Sequence, residues 1–152
     1  MKNQYNINAE TINDHLNNLL EEQNAHLLDL EKSNTLLINR LKSKNIENLS
    51  KILIKRERIE KHITKLDDRI NNYFHKKIKK NTGILNNNNL TLIKLIQDKS
   101  LTIGKSFHII IEMIKKYQSA LEQNLNSLRR ETMVVESYTS FNKGHTQYEL
   151  KG

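Results

Sequence analysis

Few residues in this chain are spaced for catalysis. Gly104-Lys105-Ser106 matches the last positions of a phosphate-binding loop, whose backbone amides and lysine cradle a nucleotide. That loop needs a glycine five residues before Gly104, where Lys99 stands, and a strand in front of it, which nothing here reads as. The six histidines are His15, His26, His62, His75, His108 and His145. No two share a helix at i,i+3 or i,i+4, and none has an H-E-x-x-H frame, so zinc ligands would have to converge from separate helices. Glu57, Glu60, Asp67 and Asp68 form the densest acidic group. Paired carboxylates do acid–base work when a pocket shifts their pKa values. Here Arg56, Arg58, Lys61 and Arg69 interleave with them, which reads as a charge-compensated helix face. Cysteine is absent, which removes disulfides, thiol nucleophiles and Cys-ligated zinc. The expectation is a protein with no catalytic residue, no cofactor and no metal.

Basic charge is the next chemistry to weigh. The formal net charge is +8. The strongest cluster is His75-Lys76-Lys77-Ile78-Lys79-Lys80, which could track a phosphate backbone or an anionic membrane. It also stands at the predicted end of a helix, where cations favour the dipole. Only Tyr73 and Phe74, just before it, could stack on bases. Heavy use of Lys, Asn and Ile reads as codon drift toward A and T, so nucleic acid is the third-ranked partner.

The elements that carry these residues are helices. Proline is absent, where average usage would give roughly 7 or 8, so long uninterrupted helices are allowed. With 36% hydrophobic and 5% aromatic residues, Ile and Leu must supply a thin core. Segment one, about Thr11 to Lys42, carries apolar residues at three, four and seven. Ser43-Lys44-Asn45 follows as a turn or kink. Segment two, about Ile46 to Lys80, keeps heptad spacing through Leu49, Ile52, Arg56, Ile59, Ile63, Leu66, Ile70 and Tyr73, with only Arg56 polar. Asn81-Thr82-Gly83 reads as a helix end with Gly83 free to take φ > 0, and Asn86 to Asn89 as a connector that can supply an N-cap.

Segment three starts near Leu90. It either runs unbroken to about Ser140 or breaks near Asp98-Lys99-Ser100, with Gly104 favouring a kink. Its seam is Ile93, Ile96, Ser100, Ile103, Phe107, Ile110, Ile114, Tyr117, Leu121, Asn124, Leu128, Glu131, Val135 and Tyr138. Such a seam argues for a long helix that packs on other helices. Unbroken, it spans roughly 75 Å, against roughly 50 Å for each of the first two segments. Its far end, with Leu121, Leu125, Leu128, Val134 and Val135, would then lack cover, and an apolar stripe left in water marks a binding surface. The fold class expected is all-α: an elongated antiparallel three- or four-helix bundle or coiled coil over 1–140, with a mobile tail over 141–152. Tyr138, Phe141 and Tyr148 read either as interface anchors or as residues that dock the tail. No apolar run exceeds three residues, Ile109–Ile111 among them, and the N-terminus has no apolar core of a signal peptide. A cytoplasmic protein without a membrane span is the expectation.

This layout resembles the FlgN-like family of flagellar export chaperones, which escort hook–filament junction proteins. Leu16-Asn17-Asn18-Leu19-Leu20-Glu21-Glu22 resembles the family's early segment, and Asn48-Leu49-Ser50-Lys51-Ile52-Leu53-Ile54-Lys55-Arg56-Glu57 its mid-chain segment. Ser137-Tyr138 to Gly144 resembles its tail. The resemblance implies a non-enzymatic chaperone whose last helix pairs with an amphipathic helix of a client. By position the partner-binding residues are Leu121, Leu125, Leu128, Val135, Tyr138 and Phe141, with Tyr138 also matching a tail tyrosine that docks on the export gate. The physics is helix-in-groove recognition. The chaperone alone is expected to be a monomer or a weak homodimer; a coiled-coil scaffold that self-associates is the rival reading.

Overall fold

A computed structural model describes residues 2–80 and 82–149, with side chains over 8–80 and 83–140. The fold is all-α. Helix α1 covers Lys2–Lys42, α2 covers Leu49–Tyr73, and α3 covers Asn87–Glu149. A π turn at Phe74–Ile78 and a short 3-10 turn at Thr82–Ile84 lie between α2 and α3. No helix among the described residues is long and apolar enough to cross a membrane. The chain divides into two compact units, Met1–Ile111 and Glu112–Gly152.

The first unit is a three-helix arrangement whose directions follow from its side-chain bonds. Between α1 and α2, Gln23 Nε2 donates to Asp67 Oδ1, and Asn34 Oδ1 accepts from Arg56 Nε. Residue numbers rise along one helix as they fall along the other, so the pair is antiparallel. Between α1 and α3, Asn13 accepts from Asn89 and Asn24 accepts from Lys99, at sequence separations of 76 and 75. A constant offset means that α3 sets out parallel to α1. The core sits along these contacts. Leu27, Leu30, Ile59 and Ile103 form one cluster, and Leu16, Leu20 and Ile78 another. Each Leu in such a site is worth about 2–5 kcal/mol against truncation to alanine.

The turns explain where the helices stop. After Lys42 the chain takes positive φ at Lys44 (53°) and Asn48 (61°), and the Asn45 side chain accepts from the Glu47 amide at 3.1 Å. The predicted turn at Ser43-Lys44-Asn45 is therefore a real break. Before α3, Asn86 acts as N-cap: its Oδ1 accepts from the Asn89 amide at 2.9 Å. Asn13 ties this connector to α1. Its Nδ2 donates to the Ile84 carbonyl at 2.8 Å, and its Oδ1 accepts from the Asn86 amide at 3.1 Å and from Asn89 Nδ2 at 2.5 Å.

One expectation changes. Gly83 lies in the 3-10 turn, and no glycine takes positive φ among the described residues, because the α2–α3 connection is closed by asparagine side chains instead. Of the two courses open to segment three, the structure takes the unbroken one. It is one helix through Gly104, whose missing side chain faces open space rather than a neighbour that would force a kink. The helical backbone of α3 runs past Ser140 to Glu149. The side chains of Phe141 and Tyr148 lie outside the described residues.

Candidate partner-binding helix face

Most groups with chemical potential are committed to holding the helices. Glu57 pairs with Lys61 at 2.8 Å, and Lys61 holds its carboxyl below the ordinary range. Glu60 pairs with Arg56 at 2.8 Å. Asp67 takes the bond from buried Gln23, and desolvation, helped by the charge of Asp68, raises its pKa. Of the acidic group, Glu57 and Glu60 are ion-paired, while Asp67 bonds an amide and no ion pair holds Asp68 among the described residues. Gly104-Lys105-Ser106 is mid-helix, with the Ser106 hydroxyl donating to the Thr102 carbonyl at 3.1 Å. His26 stacks on His62 with ring centroids 5.4 Å apart, and His15 tilts against Tyr73 at 4.6 Å. No group of three metal-ligating side chains comes together among the described residues.

The basic cluster is wound by the π turn. One extra residue per turn re-aims the side chains, so Ile78 is fully buried against Leu16 and Leu20 while His75, Lys76, Lys77, Lys79 and Lys80 face solvent. The apolar member of the run anchors it, which gives the segment a packing role independent of any anion.

The polar centre of the first unit was only half legible beforehand. Arg56 occupies the one polar seam position of α2 and is buried. Its Nε donates to Asn34 Oδ1 at 2.8 Å, and its guanidinium lies 4.2 Å from the centroid of the Phe107 ring. Beside it opens a cleft of about 450 Å³, lined by Leu27, Leu30, Ile63, Ile103, Gly104 and Phe107. Arg56 already has three partners there, so no free charged group points into the space. The heptad break at position 56 marked this arginine; nothing in the sequence marked Asn34 or Phe107 as its partners.

The second unit is where the partner-binding expectation falls. From Gln118 to Ser140 every residue of α3 is exposed. Leu121 is 53% exposed, Leu128 58% and Tyr138 69%. Leu125, Val135, Met133 and Val134 are also exposed. Upstream, the same seam is buried at Ile103 and Ile110. Leu121, Leu125, Leu128 and Val135 recur at four, three and seven residues, so they stack on one helix face as a continuous apolar stripe. Burying such a side chain is worth about 1.5–3 kcal/mol, so the stripe is a sizeable reservoir of association energy. The Thr132 and Thr139 hydroxyls, which lie on this face, donate to the carbonyls four residues back.

No family model matches the chain, and no curated protein or solved structure matches it either.

Proposed function

We propose that this protein is a non-enzymatic helix-binding protein, and that its role is that of a cytoplasmic chaperone for flagellar-type export substrates. The observation that carries the first half is the exposed stripe Leu121, Leu125, Leu128 and Val135 on α3. A helix face of this kind takes an amphipathic helix through anchors at i, i+3, i+4 and i+7. The second half is supported by the FlgN-like layout of the sequence. In this role the stripe holds a hook-associated client in an export-competent state, and Tyr138 hands the complex to the export gate.

Calorimetry with purified hook–filament junction proteins from the same source tests it. A defined complex is expected, and Leu128→Asp should weaken it at least about 100-fold by placing a charge in a desolvated contact. A full set of junction proteins that fails to bind, or binding indifferent to Leu128→Asp, removes the reading.

A further inference from the structure

We propose that the resting occupant of this stripe is a second copy of the same chain, packed antiparallel over residues 114–139. The inference goes beyond client binding and does not depend on it.

It starts from drift. A straight helix advances about 20° per heptad against a strict seven-residue repeat. Beyond Leu121 the apolar face therefore leaves Asn124 and Glu131 and passes to Leu125, Leu128, Thr132 and Val135, all exposed. One flank of this new seam carries Lys115, Glu122, Arg129 and Glu136. They recur every seven residues, each directly after a seam residue, and their signs alternate. Among the described side chains no ion pair engages Glu122, Arg129 or Glu136, and Lys115 has only a loose contact with Glu112 at 3.7 Å.

Flanking charges set the orientation and register of paired helices. In an antiparallel homodimer the two-fold axis is perpendicular to the helices and brings this flank against itself. With the axis between Asn126 and Ser127, Leu125 meets Leu128 of the partner subunit and Leu121 meets Thr132 of the partner subunit. Glu122 then faces Arg129 of the partner subunit, and Lys115 faces Glu136 of the partner subunit. Symmetry makes each pair twice. A slip of one heptad either way sets Glu122 against itself and Lys115 against Arg129, or Arg129 against itself and Glu122 against Glu136. A slip of two heptads restores the signs, but it sets Leu125 opposite Asn142 or Thr132 opposite Phe107, which Arg56 already covers. A parallel pair sets Glu136 against Glu131 and leaves Glu122 and Arg129 without opposite charges. Alternating signs and the seam residues' partners together single out one orientation and one register.

Sedimentation equilibrium of the full chain at low salt, from about 1 to 100 µM, tests this. A two-chain mass is expected. Arg129→Glu and Glu122→Arg should each weaken the dimer roughly tenfold, because each turns two attractive pairs repulsive. The double variant E122R/R129E should restore it. The chain has no cysteine of its own, so orientation can be read directly. Mixing Leu125→Cys chains with Leu128→Cys chains should yield the mixed disulfide. A single-chain mass across the range, charge reversals without effect, a double variant that stays weak, or homodisulfides at position 125 would each overturn the proposal. A dimer that passes these tests while no client binds would sink the chaperone reading alone.

Discussion

Removing the Arg56 side chain should expose how the first unit depends on one buried polar contact. Arg56→Ala deletes the 2.8 Å bond to Asn34 and the guanidinium over Phe107. A hydrogen bond to a charged group contributes about 1.5–3 kcal/mol. A cation over a partly exposed ring adds about 0.5–1 kcal/mol. The Glu60 contact adds little, since the Glu60 side chain is 43% exposed. A loss of about 3 kcal/mol follows. Asn34→Leu should cost about 2–3 kcal/mol, because it strands the Arg56 Nε in a buried site. Asn34 Nδ2 already has no partner among the described residues, so this amide serves the arginine alone. The double variant N34L/R56M replaces both polar groups with apolar ones and should cost at least about 1.5 kcal/mol less than the singles together. Urea unfolding followed by far-UV circular dichroism measures all three. Singles that add to within about 0.5 kcal/mol would refute the coupling.

Other perturbations test the backbone and the titrating groups. Gly104→Ala should stabilise the protein by about 0.5–1 kcal/mol, since an added Cβ meets nothing within 4 Å and alanine is the better helix former; a lower melting temperature would contradict this. Lys44→Gly should stabilise by roughly 0.5–1 kcal/mol, because Lys44 sits at φ 53°, a conformation that costs a side chain but not glycine. Urea midpoints would check it. The Asp67 pKa is raised in the fold, so the native state binds that proton more tightly than the unfolded chain does. Its ionised form therefore opposes folding at neutral pH, and the opposition fades as pH falls through the folded pKa toward the ordinary carboxylate value. Asp67→Asn should gain a few tenths of a kcal/mol at pH 7 for this largely exposed group, and less at acid pH. An advantage that grows on acidification would contradict the sign.

The helices themselves were legible because periodicity is a local property. Heptad spacing in segment two located Ile59 and Leu66 in the core, and the polar run after Lys42 located the first turn. That the connector Asn86 to Asn89 could supply an N-cap was readable, because the capped amide is only three residues from the capping side chain. Register between helices was not. Asn13 with Asn89, Gln23 with Asp67 and Asn34 with Arg56 are joined across many residues, and an asparagine in an Asn-rich chain does not announce which ones are buried.

The sequence by itself determined that the chain is helical, that its apolar residues form narrow seams, and that its third seam outruns the other two. Those facts depend on residue type and spacing along one axis. Tertiary structure decided that α3 continues through Gly104 instead of folding back, and that the seam changes from buried at Ile110 to exposed at Leu121. A break at Ser100 and an unbroken helix have nearly the same local energies, since one glycine shifts the balance by only about 1 kcal/mol. Packing energies several times larger, along Ile96, Ile103 and Ile110, settle such a choice, and they exist only once three helices are side by side.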